Sequence, residues 1–275
     1  PADRYREDPV RMLRAVRFAT KLEMAIAPAA AKPISELAPL LGQIPAARLF
    51  EEFQKLFMAG HALANYRMLR QYGLFQQLFP QLAKLFTPNG KGSDERLVEA
   101  AFANTDARVH NDQRITPAFL FAALLWPVMQ HRIRELTSQG GLSYADALNV
   151  AMSDVLDEQQ RSVALPRRFS TVVREIWLMQ YRLPKRSGPR AEKLVTDPRF
   201  RAAYDFLLLR GAIDGGELAE LADWWTRYQQ VSPDERTLLA QQALATGPAA
   251  ASRKPRRRRS GAKRGNGKRS SDSDA

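Results

Sequence analysis

Apolar residues recur at helical spacing along almost the whole of residues 9–246, and the two-residue alternation that marks a half-buried strand is nearly absent. Such a chain can bury a core only by packing helix on helix, so the spacing predicts an all-α fold. The helix starts are written in side-chain chemistry. Asp8 before Pro9 offers a carboxylate to free backbone N–H groups, and a proline in the first helical turn loses no hydrogen bond. Asp197 before Pro198 repeats the device, Thr116 before Pro117 opens the most apolar helix, and Ser143 caps a further one. The predicted helices cover residues 9–24, 34–41, 45–57, 62–72, 75–86 with a break at Pro80, a stretch opening at Ser93, 117–136 with a kink at Pro127, 144–161, 166–181, 198–209, 217–228 and 237–245. Residues 102–114 read as a helix end plus loop. Residues 87–92 read as a loop, and a boundary divides the chain there into residues 1–88 and 89–246.

At 275 residues the chain is long enough for one large or two small domains. It has no Cys, which excludes a disulfide framework, a thiolate nucleophile and a Cys-based zinc site. That fits a reducing compartment, and a cytoplasmic location is expected. There is no apolar run of the length a membrane span needs and no signal-peptide core. The first residue is Pro, so the chain reads as a piece of a longer protein or a trimmed form of one. The net charge of +13 is unevenly placed: residues 252–275 hold ten Lys or Arg against two Asp, which leaves +5 for the rest. From Gly247 onward the composition is Gly, Ala, Ser, Arg and Lys, which cannot bury a core and predicts a disordered basic tail over 247–275.

The first helix concentrates the unusual chemistry. Arg11, Arg14, Arg17 and Lys21 fall within one arc, and Met12, Leu13, Ala15, Val16, Ala19 and Leu22 spread over the remainder, so most of the helix is expected to be buried. Two readings fit. In one, Asp8 is only a cap, Glu7 pairs with Arg11, and the Arg stripe is a solvated face. In the other, the stretch reads a base. A carboxylate only accepts and a guanidinium only donates. Side by side at a fixed helix start they match an edge offering one donor and one acceptor, as adenine does with N6 and N1 and cytosine with N4 and N3.

Glu7, Asp8, Pro9, Val10 and Arg11, running on into Arg14, Ala15, Val16, Arg17 and Phe18, resemble the E-D-x-x-R motif of the class II nucleotidyltransferases, the bacterial poly(A) polymerases and tRNA CCA-adding enzymes. The run from Ile44 through Arg48, Glu51 and Glu52 to Phe57 is similar to that family's next neck helix, and Tyr72, Gly73, Leu74, Phe75, Leu78, Phe79 and Pro80 to the segment after it. His110, Asn111 and Asp112, the Pro117 to Leu124 run, and Phe200, Tyr204, Asp205, Phe206 and Leu207 resemble the poly(A) polymerase branch, as does the Arg-rich end. The resemblance implies that residues 1–88 form the neck domain, selecting the nucleotide and beginning the RNA-binding region, and that 89–246 form a helical RNA-binding body. It implies that Asp8 and Arg11 face the ATP base, with Glu7 orienting Arg11. It also implies ATP as substrate, RNA 3′ ends as partner, and Mg2+ held by a head domain that this chain lacks.

The remaining chemistry is thin. No strand-borne carboxylate pair of the kind two-metal transfer needs is found. Asp272 and Asp274 spell D-x-D inside the tail, where nothing preorganises a metal, and Asp154 and Asp157 are spaced as on a solvated helix face. His61, His110 and His131 form no metal-ligand pair, and there is no Gly-rich phosphate loop. Trp224 and Trp225 read as core, with one ring a candidate for base stacking. The tail residues Arg253, Lys254, Arg256, Arg257, Arg258, Arg259, Lys263, Arg264, Lys268 and Arg269 read either as a solubilising run or as an RNA contact. Arg182, Lys185, Arg186 and Arg190 are the best candidates to continue that track on the body. The expected function is the C-terminal part of a polynucleotide adenylyltransferase in mRNA processing, itself without catalytic residues. A CCA-adding enzyme and a non-catalytic RNA-binding adaptor are the alternatives.

Overall fold

Every regular element among the described residues is helical. The computed structural model describes residues 1–86 and 92–246, and these contain fifteen α-helices, one 3-10 helix and no strand. The first group is α1 (Ala2–Glu7), α2 (Val10–Lys21), α3 (Pro28–Leu37), the 3-10 helix Ala38–Gln43, α4 (Ala46–Phe57), α5 (Ala62–Gln71), α6 (Phe75–Leu78) and α7 (Pro80–Ala83). The second is α8 (Ser93–His110), α9 (Pro117–Gly140), α10 (Tyr144–Gln159), α11 (Arg167–Arg182), α12 (Pro189–Val195), α13 (Phe200–Asp214), α14 (Gly216–Gln230) and α15 (Pro233–Thr246).

The punctuation works chemically. Thr116 accepts a hydrogen bond from the Phe119 N–H at 3.4 Å, and Ser143 accepts one from the Asp146 N–H at 3.2 Å. Gly73, at φ +71°, turns the chain out of α5 while the Leu74 N–H bonds back to the Leu69 carbonyl at 2.9 Å. Three expectations are corrected. The helix expected at residues 34–41 begins at Pro28 and carries Pro33 inside it. Pro33 forgoes one helical hydrogen bond, but burial of Ile34 and packing of α3 on α1 hold the segment. Residues 102–114 are helical as far as His110. Their polar side chains serve neighbours: the Asp106 carboxylate accepts from the Ala62 and Leu63 N–H groups at 2.6 and 3.0 Å, capping α5 from across the interface. Leu22 is 61% exposed because α2 stops at Lys21; with Phe18 and Met24 it leaves an apolar end on that helix.

The largest core is aromatic and passes through both groups of helices. Phe53 meets Phe57 at 5.1 Å and Phe121 at 4.6 Å, Phe57 meets Phe102 at 4.7 Å, and Phe102 meets Tyr66 at 5.0 Å. Packing is therefore continuous from α4 and α5 onto α8 and α9. A smaller second core begins at the end of α11 and gathers Leu183, Phe200, Tyr204, Trp224, Trp225 and Tyr228. Both tryptophans are buried, and the Trp225 indole donates to the Leu183 carbonyl at 3.2 Å. The stacking role considered for one of them is thereby ruled out, since neither ring is open.

Candidate nucleotide and RNA interface

The start of α2 is built from two helices meeting at Asp8. Pro9 disfavours helical geometry for the residue before it, and Asp8 is extended, at φ −146° and ψ 93°. That breaks the chain between α1 and α2 and swings the carboxylate across the new helix start. Its Oδ1 accepts from the Val10 N–H at 3.3 Å, and its Oδ2 accepts from the Arg48 guanidinium of α4 at 2.9 Å. Arg48 sits in one of the stretches that resemble the family's neck, but nothing in its spacing from Asp8 announces the pairing. Glu7 lies 3.7 Å from Arg11 and 2.9 Å from Arg4. Arg11 is half-exposed, and its contact with Glu7 is beyond hydrogen-bond length, so its donors remain available. Asp8 keeps acceptor capacity too, because each carboxylate oxygen has a second lone pair.

Further along α2 the guanidinium seam is tied down. Arg14 reaches the buried Glu52 of α4 at 3.4 Å, and Lys55 shares that carboxylate at 2.9 Å. Arg17 lies over the exposed Phe18 ring at 4.5 Å. The Thr20 hydroxyl donates to Asn65 Oδ1, whose amide nitrogen donates to the Leu56 carbonyl at 2.6 Å. The end of α2 is thus fixed to α4 and α5, with Lys21 exposed beyond these contacts, and the Asp8–Arg11 end places an acceptor and a donor side by side toward solvent.

The four body cations do not form one open track. Arg182 pairs with Asp197 at 3.5 Å, Lys185 lies 3.6 Å over the Tyr181 ring, and Arg186 lies 5.2 Å over Trp224. Burial pushes the Arg186 guanidinium below its ordinary pKa, with Glu220 opposing. Arg190 is exposed at the start of α12. The ten tail cations lie outside the described residues. Among the described residues no three His, Asp or Glu side chains converge to hold a metal ion, so this part of the chain does not fit the Mg2+ that the resemblance implies. Nor is any described helix long and apolar enough to cross a membrane.

Comparison with known proteins bears directly on these elements. A family model described as the probable RNA and SrmB-binding site of polymerase A matches residues 23–86, and one described as the polymerase A arginine-rich C-terminus matches residues 140–262. Together they cover more than half of the chain. The poly(A) polymerase I of Escherichia coli O157:H7 is 48% identical over 260 residues, which is 94% of this chain and 56% of that protein. The chain belongs to the bacterial poly(A) polymerase family. Poly(A) polymerase I of Salmonella typhi is 49% identical over 261 residues, 94% of this chain and 55% of the relative. The chain spans a little over half the length of these curated relatives. A CCA-adding enzyme of Bacillus licheniformis is more distant, 30% identical over 165 residues, 60% of this chain and 38% of the relative. The match at residues 23–86 puts α3 to α7 in the part of the family described as binding RNA, a region expected from the sequence only to begin there.

Proposed function

We propose that this poly(A) polymerase family chain selects the incoming nucleotide and holds the RNA in an ATP:polynucleotide adenylyltransferase that extends RNA 3′ ends during mRNA processing and decay. The observation that carries the reading is the start of α2. There a carboxylate fixed by Val10 and Arg48 and a half-exposed guanidinium stand three residues apart on one helix mouth. Asp8 would accept from adenine N6 while Arg11 donates to N1, and Glu7 keeps Arg11 from swinging into solvent. A guanine or uracil edge reverses donor and acceptor and would set like against like. The carboxylates that bind Mg2+ would come from protein outside these residues, and the chain alone is inactive on this reading.

The test is nucleotide incorporation onto an RNA primer by the complete natural enzyme. Arg11→Ala is expected to relax the preference for ATP over GTP and UTP far more than it weakens primer binding; an unchanged preference would remove the template role. Incorporation of ATP by the chain alone would show that it carries its own catalytic carboxylates. One observation favours a second reading. Cytosine offers the same edge as adenine, and the CCA-adding relative matches 165 residues. Efficient CTP use followed by arrest after a short addition would select that reading.

A further inference from the structure

A cavity of about 300 Å³ opens between α9, α10, α11, α13 and α14, far along the chain from Asp8. Its walls include Trp126, Tyr144, Trp177 and Tyr181, and its polar lining includes Gln130 and Arg210. Arg210 is held in place. Gln180 donates to the Ala203 carbonyl at 2.8 Å, which fixes its amide so that its oxygen accepts from Arg210 Nη1 at 3.0 Å. The guanidinium lies 4.2 Å over the Trp126 ring, and Trp126 is braced edge-on by Phe206 at 5.3 Å. Among the described residues, no carboxylate pairs with this cation within salt-bridge distance. Burial pushes its pKa down to about 10, with Asp214 and Tyr144 opposing.

Two donors here are buried without an acceptor among the described residues: Arg210 Nε and Gln130 Nε2. A buried donor left unpaired destabilises the fold. At one side Tyr144 and Tyr181 stack at 5.4 Å, and Lys185 sits over the Tyr181 face at 3.6 Å. Tyr144 and Lys185 are both exposed, which makes that side the way in. The cavity thus has tyrosines on its accessible side, a guanidinium in its wall, and a second cation at its mouth.

We propose that this cavity receives one base of single-stranded RNA, its ring against the accessible Tyr144 and Tyr181, its carbonyl or ring-nitrogen acceptors toward the accessible part of the Arg210 guanidinium, and its phosphate near Lys185. The volume lies at the small end of ligand pockets, suited to one base. Stacking with a few acceptor contacts tolerates many sequences, as an enzyme acting on varied 3′ ends requires. The proposal rests on the reading that this chain holds RNA, and places a second point of grip away from the nucleotide site.

The test is fluorescence-anisotropy titration of a labelled single-stranded oligonucleotide with the full chain at about 200 mM salt, where backbone contacts are largely screened. Arg210→Met, which keeps the length that packs on Trp126, and Tyr144→Ala at the exposed mouth are each expected to weaken binding about tenfold. Arg210→Met leaves the buried Gln180 oxygen without its donor and is expected to lower the melting temperature, whereas Tyr144→Ala at the exposed mouth should leave it nearly unchanged, so the loss of binding by Tyr144→Ala carries the assignment. Oligonucleotides carrying 4-thiouridine should cross-link to peptides containing Tyr144 or Tyr181. If the chain binds RNA while both variants match the parent and the cross-links map elsewhere, the cavity is not a base site and the RNA-holding reading stands. If the chain binds no RNA, both fall. Should Arg210→Met fail to fold, Lys185→Gln with Tyr144→Ala decides by the same comparison.

Discussion

Asp8 shows how much of a side chain's role is set by what faces it. Its extended backbone follows from Pro9, and its contact with the Val10 N–H follows from that backbone. The hydrogen bond from Arg48 comes from another helix, and it decides which lone pairs remain for a ligand. Arg48→Ala should cost about 1 kcal/mol of stability, as a half-exposed charge-assisted pair does. In the complete enzyme it should raise KM for ATP more than it lowers kcat. Denaturant unfolding and steady-state kinetics check the two parts. Tyr228 makes a different residue-level prediction. Burial, with Glu192 accepting from its hydroxyl at 3.0 Å, pushes the phenol up to about 12. A group whose folded pKa is raised keeps its proton while the unfolded chain loses it, so its contribution is complete below about pH 10 and is lost as pH rises toward 12. Urea unfolding at pH 9 and pH 11 should show Tyr228→Phe losing less stability across that interval than the parent. Burial raises Tyr66 in the same direction, so some alkaline loss will remain.

Helices α13 and α14 approach closely at Gly211, where an added Cβ would stand 3.2 Å from the Ala219 Cα and the Leu218 carbonyl. Those atoms are backbone and cannot rotate away, so Gly211→Ala should cost about 1–3 kcal/mol and loosen the second core. Loss of the near-ultraviolet signal of Trp224 and Trp225 ahead of global unfolding would report it. Phe53 joins α4 to α9 through Phe121, and Phe53→Ala should cost about 3–5 kcal/mol. Most helix starts were legible because their signals are local: Asp or Ser before the helix, Pro within the first turn, Gly after the end. Four elements were not. Helix α12 is only seven residues long. Helix α1 is a single turn and a half, too short for its apolar spacing to register. Helix α3 contains Pro33, a breaker overridden by packing on α1. The latter half of α8 looks polar because Asp106 is spent on the N-terminus of α5. The last two share one physical cause, a partner distant in sequence.

The molecule as a whole joins the Asp8–Arg11 end to a helical body, and its charge is weighted toward the C-terminus. If the tail grips RNA, truncation after residue 246 should weaken RNA binding and flatten its salt dependence. The log–log slope should fall by about 0.7 for every phosphate that the tail had neutralised on a single strand. An unchanged slope would assign the affinity to the helical body. Two cores rather than one organise that body, and the second starts at the end of α11, where composition gives no sign of a change. The basic run from Arg182 to Arg190 illustrates the consequence. Read as a string it is a track; folded, Arg182 is paired with Asp197 and Arg186 is drawn onto Trp224. Helical class, the break at Asp8 and Pro9, and the donor–acceptor pair they carry follow from spacing and local chemistry, because backbone and cap interactions act within a few residues. The Arg48 clasp, the burial of both tryptophans and the Arg210 cavity follow from packing alone, because they join side chains from segments whose separation along the chain carries no periodic signal.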